Sequence, residues 1–483
     1  MKKLNIFKLA FLLLAAAMTM QSCSDSNDGT ASSPVLEVYK DSVAIDNIAF
    51  PLAAKSSIIG VKCNEDWTAE LSDTSWVRLS NHAGYGNDKN FTYTKIQVLK
   101  NDLESKRTAT LTIRGKSLTK VVTIVQNGKE KDPNDPFETS FELLEHLRIG
   151  YNLGNTLDSN PTGSYWDPVG KTPKEWEQSW GQPETTQEII DTLALKGFNV
   201  IRVPVTWAPH MDADGNVDTA WMDRVEEVVN YVLNAGCYCI LNVQHDTGSD
   251  ASAWVVADMS KYATVSPRFK SLWTQIANRF KNYNEKLVFE AFNEILTSNA
   301  EWGDPADVTA YEAVNKLEQD FVDAVRATGG NNEYRNLIVN PYSAGNTDAK
   351  LAGVQIPDDM HPNHIMASVH TYDPYWFCND SSNPDEQNYY INIFDEAQQQ
   401  VIADIVSRVT KRYDDLGVPV LFGEFGAIGT HPDMSERVKY AKYALQQFRS
   451  HGTTGLWWMG LLNRRRLRWY EADIVNALME TAQ

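Results

Sequence analysis

The chain has 483 residues, of which 42% are hydrophobic, 22% charged and 11% aromatic, enough to bury one enzyme-sized core plus a smaller one, and neither collagenous nor largely disordered. Its formal charge of −19 disfavours generic binding to phosphate backbones. Beyond the N-terminus no uninterrupted apolar run of about 20 residues occurs, which excludes a polytopic membrane protein.

Lys2 and Lys3 precede an apolar stretch at 9–17 that is too short to span a bilayer, the pattern of a secretory signal over 1–22. The segment ends in Ser22 and Cys23 and resembles a bacterial lipoprotein signal. That resemblance implies lipidation of Cys23 and an exported protein held at the outer membrane or cell surface. Residues 23–33 are acidic and rich in serine, which suits a flexible tether. Cys63, Cys237, Cys239 and Cys378 have neither disulfide-framework nor zinc-cluster spacing and are expected to be buried free thiols.

From 34 to 128 short alternating runs follow one another, among them WTAEL at 67, TYTKIQVL at 92, ATLTI at 109 and KVVTIV at 120. Seven or eight strands separated by turn residues predict an immunoglobulin-like β-sandwich. The Trp67 to Trp76 spacing, Asn101, Arg107 and the closing Val125, Gln126, Asn127 and Gly128 resemble BACON modules, which precede bacterial glycan-degrading domains. Exposed, Trp67 or Trp76 would stack on a sugar. Burial of both in the sandwich core, with the module acting as a spacer, is the preferred expectation. Residues 129–136, charged and proline-containing, read as a linker.

From 137 to 483 the texture changes. Apolar runs start at 149, 199, 238, 287, 336, 365, 419 and 455, and amphipathic stretches lie between them at 185, 222, 267, 312 and 435. Eight buried strands with crossover helices predict a (β/α)8 TIM barrel, with an open doubly wound sheet as the competitor. The runs end in Asn155, Arg202 with Trp207, His245 with Asp246, Asn293 with Glu294, His370 with Tyr372, Glu424, and Trp458. A barrel gathers such positions on its C-terminal rim, where the fold carries its chemistry.

Two carboxylates flanking a cleft can cleave a glycosidic bond, one protonating the leaving oxygen and the other attacking or activating water. Phe292, Asn293 and Glu294, Phe422 to Phe425 around Glu424, Arg202 within IRVPVTW, and His370, Thr371 and Tyr372 resemble the family 5 glycoside hydrolases. GYNLGNTL at 150 and WGQP at 180 look like its branch of endoglucanases, xyloglucanases and mixed-linkage glucanases. The resemblance implies Glu294 as acid/base and Glu424 as nucleophile of a retaining mechanism. It further implies that Asn293 binds the sugar 2-hydroxyl, that Arg202 and Tyr372 hold Glu424, that His370 supports Glu294, and that Trp458 is the sugar platform. An anionic Glu424 close by would keep the pair's single proton on Glu294.

Two features depart from that branch. Gln244 and His245 stand where two consecutive histidines are usual, and the chain after Trp458 passes straight into LLNRRRLRW, shortening the loop common there. Arg464, Arg465, Arg466 and Arg468 read as a solvated charge run, and His361 and His364 as structural. The expected protein is thus a monomeric endo-β-1,4-glucanase with neither metal nor cofactor, acting on cellulose-like, mixed-linkage or xyloglucan chains. Competing readings are a β-mannanase or xylanase of the same fold and, because of Gln244, a surface glycan-binding protein with a weakened site.

Overall fold

The computed structural model describes residues 33–483 apart from 41–42, 53, 102, 104, 129–134, 161–171 and 362. The expected signal, Cys23, nearly all of the tether and most of the linker lie outside the described residues. Among the described residues no helix is long and apolar enough to cross a membrane.

Residues 36–126 form two five-stranded sheets packed face to face. One runs Val43–Ala44, Leu36–Lys40, Lys55–Cys63, Asn87–Val98 and Val77–Leu79 in spatial order. The other runs Asn47–Phe50, Thr119–Gln126, Arg107–Arg114, Trp67–Leu71 and Ala83–Gly84. Strict alternation builds the core: in Trp67–Leu71 the first, third and fifth residues are buried, as a strand with one face inward requires. Trp67 and Trp76 are both in that core, 2% and 4% exposed. The Trp76 indole donates to Asp73, and the Arg107 guanidinium lies over its ring. Neither tryptophan offers a face to a sugar. Rings that do reach the surface include Tyr85, Tyr93 and Phe91; Phe91 touches both Tyr39 and Tyr93 and lies over Gly60.

The eight apolar runs become the eight strands of a closed parallel barrel, in sequence order: Gly150–Asn152, Val200–Val203, Tyr238–Asn242, Leu287–Glu290, Leu337–Val339, Ile365–Thr371, Val420–Phe425 and Gly455–Trp458. Side chains of period two divide inside from outside. Val200, Ile240, Val288, Ile338, Met366, Leu421 and Leu456 meet in the lumen, and Leu143, Leu144 and Leu147 close it from below. Those leucines come from or directly follow the helix Ser140–His146, which Thr139 and Glu142 start with a reciprocal capping box, so that two backbone donors are satisfied. The outward residues pack under the surrounding helices.

The helix expected from Pro267 begins a turn earlier, at Tyr262, and keeps Pro267 inside. That extra turn buries Val265, although Pro267 donates no backbone bond there. The 21-residue helix Glu396–Leu416, which ends on left-handed Gly417, was not among the anticipated stretches. All four described cysteines are buried and unpaired. His364 is buried between Asp135 and Asn336, a structural position as expected.

Candidate active site

Two residues above the apolar lumen layer, the strands place a second inward layer, and its character is opposite. Asn152, Arg202, Asn242, Glu290, Asn340 and Ser368 occupy it, each two positions after an inward neighbour and each at most 1% exposed. Only Arg202 was singled out from the sequence. The signal for the others was present: a polar residue two places past an apolar one inside a buried run breaks the run at a fixed depth.

Arg202 organises the layer. Its Nε donates to Glu290 Oε2 (2.6 Å), one terminal nitrogen to Glu424 Oε1 (2.7 Å) and Asn152 Oδ1 (3.0 Å), and the other to Asn293 Oδ1 (2.9 Å). Fork geometry of this kind suits guanidinium and no other cation. Asn152 in turn donates to the Gly423 and Leu456 carbonyls, tying Arg202 to the strand that carries Glu424 and to the strand that follows it. Asn340 donates to the second oxygen of Glu290 (3.1 Å), and its own main-chain N–H is held by Glu318 (2.5 Å), a carboxyl that burial pushes well above its ordinary range.

A local irregularity aims Glu424. Between Val369 and His370 the pairing with the next strand slips by one residue, so that His370 stands opposite Glu424 and Gly423 is the extra residue. A β-carbon on Gly423 would lie 2.1 Å from Ser368 Oγ and 3.2 Å from His370 Nε2, so any larger residue would have to displace the Ser368 hydroxyl and crowd His370. This bulge re-aims a side chain in the way bulges beside active sites do.

Glu424 receives Arg202 on Oε1 and the Tyr372 hydroxyl on Oε2 (2.7 Å). Burial alone would raise its pKa. The charges of His370 and Arg202 and the hydrogen bonds from Tyr372 and Arg202 overcome that and hold the carboxyl below its ordinary value, so it is ionised. His370 Nδ1 is 2.9 Å from Glu294 Oε1 and 3.7 Å from Glu424 Oε2. Burial opposes its charge, but the two carboxylates prevail and raise its pKa. Tyr372 is pushed far up by burial and by Glu424, which keeps its hydroxyl a donor.

Glu294, Glu424 and His370 each bring one polar atom to within 4.8 Å of the others. The carboxylates differ in access: the Glu294 side chain is 21% exposed, that of Glu424 6%. As a metal site the trio is poor, because the Arg202 guanidinium already neutralises Glu424 at 2.7 Å and would repel a second cation.

Other anticipated residues fall nearby with different partners. Gln244 is buried, and its Oε1 accepts from Asn242 (2.6 Å); among the described residues it supplies no hydrogen bond to either glutamate. His245 lies between Asp250 (2.7 Å) and Asp158 (3.8 Å) and edge-on to Trp180. Burial disfavours its charge, yet hydrogen bonding and attraction from the two aspartates push its pKa up to about 10. It is a locked cation, one step away from the glutamates. The first strand gives the cluster Asn152 rather than Asn155. Asn155 sits in a left-handed conformation and donates its N–H to Asp158. Asp246 accepts from the Trp207 and Ala208 N–H groups and from the Trp254 indole, bracing the loop below Trp207. Trp458 is half-buried and covers Gly154 so closely that a β-carbon there would be 2.9 Å from its ring.

A TIM barrel whose C-terminal rim holds two adjacent carboxylates, one buried on an arginine and a tyrosine and one open to the cleft, is the framework of a glycoside hydrolase. The cellulase model, glycosyl hydrolase family 5, matches residues 164–460, and the chain belongs to that family. Residues 65–127 match the BACON model, described as a putative N-terminal binding domain.

Endoglucanase A of Clostridium longisporum is 34% identical over 352 residues, covering 70% of this chain and 65% of the relative. The cellulase/esterase CelE of Acetivibrio thermocellus is matched over only 40% of its length, so the chain spans less than two thirds of both. A xyloglucan-specific endo-β-1,4-glucanase of Bacteroides ovatus is 28% identical, with 94% of this chain and 91% of the relative covered. Among solved structures, a family 5 glycoside hydrolase of Prevotella bryantii bound to a xyloglucan tetradecasaccharide is 38% identical with a TM-score of 0.66. It covers 72% of this chain and 99% of its own.

Proposed function

We propose that the chain is a retaining endo-β-1,4-glucanase that cuts internal bonds of cellulose-like, mixed-linkage or xyloglucan chains. The observation that carries the retaining mechanism is the Glu294 to Glu424 approach within 4.8 Å. It suits the roughly 5–5.5 Å carboxyl separation of direct nucleophilic attack and not the 6.5–9.5 Å that leaves room for a water. Glucan specificity is supported by the names of the endoglucanase and xyloglucanase relatives.

In this reading Glu424 attacks the anomeric carbon as Glu294 gives its proton to the departing glycosidic oxygen; the C–O bond breaks and a glycosyl ester forms. Water then attacks the ester, passing its proton to Glu294 and freeing Glu424. Arg202 and Tyr372 keep Glu424 ionised and aimed. His370 steadies Glu294 through Nδ1. Asn293, whose Oδ1 is fixed by Arg202, turns its amide N–H2 to the sugar 2-hydroxyl, and Trp458 carries the ring to be cleaved.

Proton NMR of the first product tests the mechanism: a retained β-anomer is expected, and an inverted one overturns it. A fall in polymer viscosity ahead of reducing-end release is expected of an endo-acting enzyme. The proposal extends to an exported lipoprotein anchored through Cys23, supported by Lys2, Lys3 and the short apolar stretch at 9–17. Cys23→Ala should then release the protein from membranes into the soluble fraction.

A further inference from the structure

The arginine run is not uniformly solvated. It forms the tip of a hairpin, Leu462–Asn463 with Arg468–Trp469, that stands where the shortened loop follows Trp458. Arg464 is buried and structural, donating to the Gly154 carbonyl (2.9 Å) beneath the Trp458 ring. Arg465 lends one nitrogen to the Gly181 carbonyl (3.1 Å), joining the hairpin to the turn that follows Trp180. Arg466 and Arg468 are exposed, and the Arg466 side chain has no partner among the described residues. Between hairpin and turn lies a cavity of about 430 Å3, lined among others by Pro183, Gly460, Arg465, Arg466 and Tyr470, within the about 300–1,000 Å3 range of small-ligand pockets. It begins two residues from Trp458 and one from Trp180, on the same rim as the glutamates.

The charge of this pocket runs against that of the molecule. Of the neighbouring acids, Glu184 is paired with Lys174 (2.6 Å) and Glu471 with Arg437 (2.7 Å), so they do not cancel the free guanidinium groups. Tyr470 is 67% exposed, and its hydroxyl is held by Asn463 (2.7 Å), which leaves a ring face standing at the pocket. Guanidinium forks select planar oxyanions, and an exposed aromatic face suits a pyranose ring. We propose that this pocket is a subsite for a carboxylated sugar, a hexuronate borne on or within the β-glucan chain, with Arg466 and the free edge of Arg465 on the carboxylate and Tyr470 against the ring. The inference rests on the glucanase reading of the adjoining cleft and names a substituent which that reading does not require.

Affinity electrophoresis separates the two. The slowed variant Glu294→Gln is run through gels containing carboxymethylcellulose or hydroxyethylcellulose, which share a backbone and differ in substituent charge. Adding Arg466→Ala should weaken retention on the carboxymethyl polymer by roughly three- to tenfold and leave the hydroxyethyl polymer within twofold, while Arg466→Lys loses less. Free D-glucuronate should compete better than acetate at equal ionic strength, since salt screens both alike. Equal retention with and without Arg466, equal loss on both polymers, or equal competition by acetate overturns the subsite. Retention on the carboxymethyl polymer that needs Arg466, with none on the neutral one, would keep the subsite and count against the glucanase reading. Because Arg466 is exposed in a turn, an unchanged melting temperature is expected for each variant.

Discussion

Two layers of side chains inside the barrel, one strand period or roughly 6–7 Å apart, are built on opposite principles. The lower layer, from Val200 to Leu456, is apolar and sealed by leucines of the N-terminal segment. The upper layer places Arg202 and Glu290 in the same lumen, both fully buried. Burial in the lower layer is favourable and non-directional. Burying an ion pair above it recovers its desolvation cost only through close geometry, and the return is a fixed position for Glu424. Stability and turnover should therefore respond separately to substitutions two residues apart on one strand.

The largest effect is expected at Glu424. Glu424→Ala should lower kcat on every substrate by more than about 10⁴-fold, roughly 5.5 kcal/mol, while the fold survives because Arg202 keeps Glu290. Residual turnover within tenfold of wild type would place the nucleophile elsewhere. Glu294→Ala should cost about 10² to 10⁴ on polymer and far less on an aryl glycoside whose leaving group needs no proton. Azide should partly restore that variant and yield a β-glycosyl azide; equal losses on both substrates would remove Glu294 from acid catalysis.

Leu421→Ala, one layer down on the strand that carries Glu424, should destabilise by about 2–5 kcal/mol in denaturant titration and leave kcat/KM within about threefold. A comparable loss of turnover without a shift of the midpoint would erase the contrast between layers.

Tyr372→Phe sharpens the contrast through pH. Glu424 sits below its ordinary range, with the Tyr372 hydrogen bond among the causes, so it is ionised and active above that value and lost as pH falls through it. Without the hydroxyl its pKa rises, the acid limb of kcat/KM moves to higher pH, and turnover at the optimum falls by about tenfold, roughly 1.4 kcal/mol. An unmoved acid limb would show that Arg202 and His370 suffice. The smallest effect belongs to Gln244→His. Since Gln244 bonds to Asn242 and to neither glutamate, turnover should rise or stay within about threefold; a loss beyond tenfold would mean that the pocket is packed around glutamine.

Much of this was legible from the chain. Period-two alternation before residue 128 and apolar runs alternating with amphipathic stretches after it define a sandwich and a barrel, because burying one face or both leaves a direct imprint on residue order. Glu294, Glu424, Arg202, His370 and Tyr372 were legible as well, as chemically able residues at the ends of such runs. Trp67 and Trp76 were ambiguous: an aromatic residue in a strand reads alike whichever face it takes, and packing of the two sheets put both inside.

The tertiary structure decided what depends on partners far along the chain. Asn152, Glu290, Asn340 and Glu318 acquire their roles only when strands and a helix up to 304 residues apart converge on Arg202 and its supports. Gly423 is confined only because it is the extra residue of a bulge pressed against Ser368 and His370 of the neighbouring strand. The arginine run divides into a buried strut, a bridge and an unpaired tip once the hairpin folds against the rim. Residue order by itself determined which faces must be buried, since hydrophobic burial depends on local pattern. It could not determine which buried polar groups meet, because hydrogen bonds and ion pairs are set by distances of a few tenths of an ångström that exist only after the barrel closes.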